Sequence, residues 1–425
     1  MKKLIFLWSV VFVLLIGNFT AFGSQVIKIG VIGPMKFPQG IGQFNGALLA
    51  MEEINAKGGI LVEKTRIPIE LVKVDSNEFL SVPDATNAME LAVTRYKVDF
   101  LTGGARTEAV MAMQSIAGDN KKIFLGTGAS HVKLCSRVSE NYGRYKYWFR
   151  IAPANNLNQM NAETAVLEMV TQILTKELNI TQPRLAFLSE QALWTEPMIE
   201  LGKKKMPEMG IQIVGVWRPS PQATDLTAEL SAIQKSEAHI IFTGFSSSAG
   251  IVFGKQWGEL KIPAVVVGAN VEAQKGLNKD GFWAATGGMG NYVLTDNLVS
   301  RVKITDITIP FFDKYIKRFN EPPPYLAATY DAIHVLAAAI EKAGTLDADK
   351  IVSELEKTDR QISQGRLVFT KDHDVTWGPG YVTLLATQWQ DGENKCVWPF
   401  NWQGVTYEGT VRYKIPPWVI KQYKK

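Results

Sequence analysis

The chain has 425 residues, 46% of them hydrophobic, and a formal net charge of +5 at pH 7. A chain of this length and apolar content can bury two hydrophobic cores, so we expect two domains. The charge is nearly balanced and no stretch combines clustered basic residues with interleaved aromatics, which argues against a nucleic-acid-binding protein.

The N-terminal segment, residues 1–23, is typical of a secretory signal peptide. Lys2 and Lys3 precede an apolar run from Leu4 to Ile16, and the small-residue pattern Ala21-Phe22-Gly23 follows. The run is shorter than the roughly 20 residues that a membrane-spanning helix needs. We therefore expect cleavage before Ser24 and export to the periplasm. No cysteine lies near the cleavage site, so we expect no lipid anchor.

The next segments alternate strand-like apolar runs with helix-period stretches. "VIKIGVIG" (26–33) has the pattern of a first strand, and "GALLAMEEINAKGG" (46–59) that of a helix with a glycine stop. One such unit is complete by about Arg150. The alternation then restarts at Asn155, with the strand-like runs "RLAFLSE", "HIIFTGF" and "AVVVGA". This order predicts two α/β lobes, each with a parallel sheet covered by helices.

The last third of the chain departs from this order. After Asn291 come helix patterns near 306–320, 325–343 and 347–358, and then further strand-like pieces. Strands outside the two main runs imply that the chain crosses back between the lobes and forms a hinge. Open α/β sheets bind ligands beyond the carboxyl ends of their strands, so the cleft between the lobes is the expected site.

Two cysteines and four histidines could support redox or metal chemistry. An export compartment permits a disulfide between Cys135 and Cys396, and two buried thiols are the alternative. The histidines, which show no metal-ligand spacing, are His131, His239, His334 and His373. We expect no metal.

Catalytic and nucleotide-binding motifs are weak. "GFSSS" (244–248) begins like a nucleophile elbow, but Ser248 stands where the second glycine is needed, which favours a hydroxyl-lined loop. "GGARTEA" lacks the G-x-G-x-x-G order, and the chain contains no Walker sequence. We therefore expect binding without catalysis and without a cofactor.

Four segments, taken in order and spacing, resemble one known family. They are "GPMKFPQGIGQFNGALLAMEEINAKGG", "IELVKVDSNEFLSVPDATNAMELAV", "YDAIHVLAAAIEKAG" and "FTKDHDVTWGPGYVTLLATQWQDG" with the later "VWP". The chain resembles the type I periplasmic solute-binding proteins of branched-chain amino-acid ABC transporters, from about residue 26 to 400. The resemblance implies two Rossmann-like lobes, three crossovers, closure around a small solute, and delivery to a membrane permease and its ATPase. The alternative is a ligand sensor of the same fold that acts on a regulatory or receptor partner.

The resemblance also implies lobe boundaries. The crossovers fall near Arg150, Asn291 and Arg366. Lobe 1 then comprises residues 24–150 and 292–366, and lobe 2 comprises residues 151–291 and 367–400. Residues 401–425 lie outside the matched part and form a C-terminal extension. We expect the protein to act as a monomer.

In lobe 1, the family's solute-carboxylate loop matches "GGARTEA". Thr107 keeps the hydroxyl of that loop, whereas Arg106 stands where serine is usual. Three roles compete for Arg106: phosphate binding, contact with another anion in the cleft, or a surface charge paired with Glu108. The missing nucleotide motifs argue against phosphate, and cleft contact is the favoured role because a guanidinium strengthens an anion site at a helix N-terminus.

The second matching loop of lobe 1 is "GTGASH" (126–131). By the resemblance, Thr127, Ala129 and Ser130 complete the carboxylate site with backbone amides and a hydroxyl. Phe37, in the loop after the first strand, either closes one side of the pocket or packs locally.

In lobe 2 the resemblance places the opposite wall at three strand ends. Trp194 is expected to stack on the solute, with capping of its own helix as the alternative, and Phe245 and Ser246 end the strand "HIIFTGF". Amino-acid binders of the family commonly carry an acid at the position of Asn270. Glu272 is nearby, and we expect it to turn onto the following helix.

These departures predict the charge of the pocket. Arg106 adds a positive charge and Asn270 lacks the negative charge that would hold an α-ammonium group. The pocket is therefore expected to be more positive than in amino-acid binders. The predicted solute is a carboxylic acid without an α-amino group, or one whose amine is modified.

Overall fold

The computed structural model describes residues 25–276 and 281–424. The predicted signal peptide lies outside the described residues. Within the described ranges, no helix is both long enough and apolar enough to cross a membrane.

Strands and helices alternate through most of the chain. The strands are β1 (Ile27–Gly33), β2 (Ile60–Val62), β3 (Thr65–Ile67), β4 (Ile69–Asp75), β5 (Phe100–Gly103), β6 (Phe124–Gly126), β7 (Trp148–Arg150), β8 (Arg184–Ser189), β9 (Gln212–Trp217), β10 (Ile240–Phe245), β11 (Val265–Asn270), β12 (Leu294–Asn297), β13 (Asp359–Ile362), β14 (Gly365–Val368), β15 (Leu385–Gln390) and β16 (Glu393–Trp398). The α-helices are α1 (Pro38–Asn55), α2 (Val82–Thr94), α3 (Thr107–Asp119), α4 (Lys133–Glu140), α5 (Tyr142–Tyr145), α6 (Asn156–Leu178), α7 (Thr195–Glu208), α8 (Thr227–Lys235), α9 (Ala249–Glu259), α10 (Phe282–Ala285), α11 (Thr308–Phe319), α12 (Thr329–Ala343), α13 (Ala348–Leu355) and α14 (Pro417–Tyr423). Short 3-10 helices cover Val271–Gln274 and Tyr325–Ala328.

Two parallel sheets form the two lobes. The strand order is β4-β1-β5-β6-β7 in lobe 1 and β11-β10-β8-β9 in lobe 2. Side chains of a strand alternate between the two faces of its sheet. Ile29 and Val31 accordingly enter the core on one face of the first sheet, and Ile32 enters the core on the other. Helices cover both faces, as the α/β alternation predicts.

The chain passes between the lobes three times. The hydrophobic cores place these crossings between Ala154 and Met160, between Leu294 and Leu298, and between Val382 and Ala386. Three crossings form a hinge of three parallel connections. The predicted fold class, two α/β lobes joined by a three-crossover hinge, is confirmed.

The third crossing lies later than the boundary expected near Arg366. Leu367, Phe369 and Val382 belong to the same buried core as β1, because the β13-β14 hairpin and the loop after it pack on lobe 1. Residues 367–382 therefore belong to lobe 1 and not to lobe 2. Conversely, β12 pairs with β15 beside lobe 2, so the second crossing follows it rather than preceding it.

The segment expected to be a separate extension is part of lobe 2. Tyr413, Ile415 and Val419 are buried in the core that also contains β8 and β10. The indole Nε1 of Trp418 donates to the carbonyl oxygen of Ile262 at 2.9 Å. Helix α14 thus closes the end of lobe 2 that lies opposite the carboxyl ends of its strands.

Both cysteines are buried, unpaired thiols. Cys135 lies in a core of lobe 1, and Cys396 lies on β16 beside lobe 2. Burial raises the pKa of both thiols, that of Cys396 to about 12, so neither is a reactive thiolate at neutral pH. Of the two alternatives left open by the sequence, the structure has the buried thiols.

A buried ion pair connects the hinge to lobe 1. Arg150, the last residue of β7, lies with its Nε 2.9 Å from Oδ1 of Asp374, and their side chains are 0% and 5% exposed. Asp374 also accepts from Nδ2 of Asn155, the N-cap of α6, at 3.0 Å. The Arg150 guanidinium donates to the carbonyl oxygens of Ala129 and His131. One charged group therefore holds the first crossing, the chain before the third crossing, and the loop after β6.

We predict that Asp374→Asn strongly destabilises the protein. The change leaves the Arg150 guanidinium buried without its counter-charge, and breaking such a pair from one side costs about 3–5 kcal/mol. Urea unfolding of the full chain measures the loss. Asp119→Asn, in the solvent-exposed pair with Arg144, is the matched control and should cost about 1 kcal/mol or less. Equal losses in the two variants would contradict the role given to Arg150.

Candidate functional site

A cavity of about 610 Å³ lies between the lobes at the carboxyl ends of both parallel sheets. Loops that follow strands of both lobes form its walls. From lobe 1 they include Phe37, Gln39, Phe79, Arg106, Thr107, Ser130 and Tyr325, and from lobe 2 Glu190, Trp194, Ser246, Glu272, Gln274 and Lys275. Asp296 and Leu384, next to the second and third crossings, complete the lining.

The two lobes touch each other across this cavity. Nε2 of Gln39 donates to Oε1 of Glu272 at 3.1 Å and to the carbonyl oxygen of Ser246 at 3.4 Å. The backbone N–H of Tyr325 donates to Oε1 of Gln274, also at 3.4 Å. Lobe 1 thus provides donors and lobe 2 provides acceptors at the points of contact.

Six of the ten residues predicted to bind a solute line the cavity: Phe37, Arg106, Thr107, Ser130, Trp194 and Ser246. The Phe37 ring also packs edge-on against Phe79, with centroids 5.3 Å apart, so the residue both lines the cavity and packs locally. Trp194 is the N-cap residue of α7 but makes no side-chain capping bond. Solute binding by these six residues stays a prediction.

Thr127 and Ala129 lie behind the cavity wall. The Thr127 hydroxyl accepts a long, 3.5 Å bond from Nε2 of Gln43, and the Ala129 carbonyl accepts from Arg150. Both support the loop that carries Ser130. A Cβ at Gly128 would lie 2.2 Å from the carbonyl oxygen of Gly104, so this glycine permits the loops after β5 and β6 to approach each other.

Phe245 and Asn270 also lie away from the cavity. Phe245 is fully buried and stacks on Phe253 with centroids 5.5 Å apart. The Asn270 amide turns toward α9, where its Nδ2 donates to the carbonyl oxygen of Gly250 at 3.0 Å. The sequence analysis expected Asn270 at the cavity and Glu272 turned onto a helix. In the structure Glu272 faces the cavity and Asn270 contacts a helix, α9.

The amino end of α3 already holds a carboxylate. Oε2 of Glu78 accepts from the backbone N–H groups of Ala105 and Arg106 at 3.1 and 2.9 Å, and its Oε1 accepts from the hydroxyl of Ser76 at 3.0 Å. Gly103, at φ +118, makes the turn that aims these N–H groups. The acidic group at this helix terminus is therefore part of the protein, and the sequence analysis missed it.

Arg106 lies at the cavity and is also paired within lobe 1. Its Nε donates to Oε2 of Glu108 at 3.3 Å, and its Nη1 lies 3.4 Å from the carbonyl oxygens of Glu78 and Phe79. A position at the cavity and a pair with Glu108 are therefore compatible, because Arg106 lines the cavity while its guanidinium is paired with Glu108.

The "GFSSS" loop surrounds a second buried carboxylate. Glu190 is 1% exposed and accepts from the backbone N–H of Ser246 at 2.9 Å and from the hydroxyls of Ser246 and Ser247. Both hydroxyls donate hydrogen bonds to the Glu190 carboxylate, which fits the predicted hydroxyl-lined loop and not a nucleophile elbow. One local signal could have identified Glu190, because the residue directly follows β8 at the predicted cleft edge.

A buried carboxyl pair lies beside the second crossing. Asp296 faces the cavity and accepts from Nε2 of Gln159, while Glu163 lies one turn further along α6. Burial raises the pKa of Asp296 to about 6. Burial, together with the nearby Asp296 charge, raises the pKa of Glu163 well above its ordinary value. Neither residue carried a local signal in the sequence, because their approach depends on the crossing.

The charged lining of the cavity is mainly acidic, contrary to the positive pocket expected from the sequence. Two of its acids are paired, Glu108 with Arg106 and Glu272 with Lys275, the latter at 2.6 Å. Glu190 and Asp296 form no ion pair within the part of the chain that the structure describes. The expectation was wrong because it counted Asn270 and Arg106 and omitted the carboxylates that the fold brings to the cleft.

A comparison with protein families shows to which family this chain belongs. The sequence profile of the family described as Periplasmic binding protein matches residues 26–392. The chain belongs to the periplasmic binding protein family. The match covers both lobes and all three crossings, and it ends within β15–β16, before the tail that completes lobe 2.

Several known proteins are similar to the chain over most of their length. A Leu/Ile/Val-binding protein from Rhizobium johnstonii is 23% identical over 356 residues, covering 82% of this chain and 89% of the relative. Among solved structures, the solute-binding protein of an ABC transporter from R. palustris, in complex with benzoate, has a TM-score of 0.70 at 17% identity and covers 87% of this chain and 95% of its own. The branched-chain amino acid transporter substrate-binding protein from Streptococcus pneumoniae, in complex with isoleucine, has a TM-score of 0.69 at 19% identity and covers 87% and 98%. At these identities the structural likenesses establish a common fold.

We predict that Glu78 makes the stability of this periplasmic binding protein depend on pH. Burial raises the pKa of Glu78 from 4.5 to about 7, against the opposing effect of the bonds from Ala105 and Arg106. The folded state therefore keeps a proton that the unfolded state releases above about pH 4.5. Its contribution to the free energy of unfolding is largest at low pH and is lost as pH rises toward 7.

Thermal unfolding of the wild type and of Glu78→Gln at pH 5 and pH 8 measures this effect. Glutamine keeps the shape and the acceptor, so the variant should lose less stability than the wild type as the pH is raised. Glu200→Gln, on an exposed face of α7, should follow the wild type. Parallel pH profiles for wild type and Glu78→Gln would contradict the prediction.

Proposed function

We propose that the chain is the periplasmic solute-binding component of an ABC importer. It captures a small solute between its lobes, as a monomer, and delivers it to a membrane permease and its ATPase. The observation that carries the proposal is the cavity itself, which is built from strand-end loops of two lobes joined by a three-connection hinge. A cavity of about 610 Å³ is in the range of sites for small organic molecules.

Binding proceeds by closure of the hinge. The solute enters while the lobes are apart, and closure brings Gln39 to Glu272 and Tyr325 to Gln274 on the opposite wall. Closure also removes water from the cleft, which strengthens each polar contact with the solute. The closed form then presents a joint surface of both lobes to the permease, which is how the membrane component distinguishes loaded from empty protein.

The lining supplies both apolar and polar contacts. Phe37, Phe79 and Trp194 offer aromatic surface, and the hydroxyls of Thr107 and Ser130 offer directional hydrogen bonds. An affinity in the micromolar range needs about −8 kcal/mol, which a few such contacts supply. We propose binding without catalysis, because the serines of the "GFSSS" loop serve to hold Glu190.

The family resemblance favours a carboxylate on the solute, and the geometry restricts where one would bind. Glu78 uses the N–H groups of Ala105 and Arg106. A solute carboxylate would therefore depend on the Arg106 guanidinium and on the hydroxyls of Thr107 and Ser130. It would also have to compete with Glu108 for Arg106.

We predict that Trp194→Ala and Ser130→Ala abolish solute binding while the protein stays folded. A thermal-shift screen of amino acids, aromatic acids and amines on the wild type identifies binders, and a solute at about 100 times its Kd stabilises the folded state by about 2.7 kcal/mol. The two variants should lose that shift. Trp402→Ala, in the tail of lobe 2 and outside the cavity, should retain it. Retention of the shift in both cleft variants would contradict binding between the lobes.

A further inference from the structure

Four carboxyl groups in or behind the cleft have no basic partner. Glu190 and Asp296 line the cavity, and Glu78 and Glu163 lie directly behind its walls. Each is at least nine-tenths buried. None of the four forms an ion pair with any residue in the described ranges, although Arg106 and Lys275 are both nearby and both paired with other acids.

Buried acceptors in the same region also lack donors. Oε1 of Gln39, a residue that is 5% exposed and lines the cavity, has no hydrogen-bond partner in the described part of the chain. Behind the cavity wall, both side-chain oxygens of Glu163 also have no hydrogen-bond partner within the described residues. A buried acceptor without a partner destabilises the folded protein, so Oε1 of Gln39 is an acceptor in the cleft that a bound molecule could satisfy.

We propose that the solute has a net positive charge, and that its ammonium or guanidinium group lies between Glu190 and Asp296. Such a group brings several N–H donors and the missing counter-charge into one position. Trp194 lines the same cavity, and aromatic faces also attract cations. This inference rests on the proposed function and specifies the class of its solute.

The positive groups of the cleft do not favour an anion instead. The N–H groups at the amino end of α3 are occupied by the Glu78 carboxyl group, Arg106 is paired with Glu108, and Lys275 is paired with Glu272. An anionic solute would have to displace one of these internal acids and would stand next to Glu190 and Asp296. A cationic solute displaces no internal acid, and it brings a counter-charge to carboxyl groups that form no ion pair in the described ranges.

The first experiment identifies what the protein binds. The full chain is purified from the periplasm of its own cells, denatured, and any released solute is analysed by mass spectrometry. In parallel, thermal shifts are measured with solutes that are matched in shape and differ in charge: arginine against citrulline, lysine against norleucine, and putrescine against succinate. The proposal expects a cation among the released solutes and stabilisation by the cationic member of a pair.

The outcomes separate this inference from the proposed function. A neutral or anionic solute that is released from the wild type and absent from Trp194→Ala would overturn the cationic solute and retain interlobe binding. The absence of any released solute, together with no thermal shift from any compound, would overturn both.

The second experiment removes the charges. In Asp296→Asn and Glu190→Gln, the affinity for the cationic solute should fall at least tenfold. The melting temperature of the empty Asp296→Asn variant should stay equal or rise, because a buried acid without a counter-charge is gone. Glu177→Gln, on the exposed face of the helix that carries Glu163, should change neither quantity. Unchanged affinity for the cation in both cleft variants would overturn the proposal.

Discussion

The buried ion pair between Arg150 and Asp374 is the constraint on which the rest of the site depends. It joins the end of the first lobe's sheet to the chain that precedes the third crossing, and Asn155 extends the connection to the start of α6. Through the carbonyls of Ala129 and His131 the same guanidinium fixes the loop that presents Ser130. These contacts attach the lobe 1 wall of the cleft to the end of the first lobe's sheet, next to the first and third crossings.

The electrostatics of the cleft depend on which acidic groups accept hydrogen bonds from its backbone and hydroxyl donors. A helix amino end favours an acidic group, and in this protein the carboxyl group of Glu78 occupies it from within lobe 1. The "GFSSS" loop on the opposite wall likewise binds Glu190. Both of these sets of donors are thus occupied by acids of the chain itself, and the charged side chains that line the cleft are mainly acidic. In a cleft that binds an anionic solute, such donors would be free for the solute.

Much of the fold could be predicted from sequence because its signals are local. Apolar strands such as β1 and β10 and the periodic helices between them depend on neighbouring residues, and strand ends in an α/β sheet mark the cleft. Arg106, Ser130 and Trp194 were placed at the cavity from their positions at strand ends together with the family resemblance. The third crossing was placed too early because the β13-β14 hairpin belongs to lobe 1 through its tertiary packing, which no local pattern reveals.

The polar details of the site could not be predicted for a related reason. Asn270 and Glu272 are two residues apart, yet the 3-10 helix over Val271–Gln274 turns one toward α9 and the other into the cleft. Glu78 meets the amino end of α3 from a different loop, and Asp296 meets α6 only because the second crossing passes there. The sequence analysis counted only Arg106 and Asn270 and omitted these carboxylates, so it predicted the wrong sign for the charge of the pocket.

A crystal structure of the protein with the solute that stabilises it most tests the central claim most directly. The account predicts that the solute lies between the lobes, with a cationic nitrogen at hydrogen-bond distance, about 2.7–3.2 Å, from Glu190 or Asp296. It also predicts that Glu78 keeps its bonds to the N–H groups of Ala105 and Arg106. A solute carboxylate bound to those N–H groups, with Glu78 displaced, would contradict it.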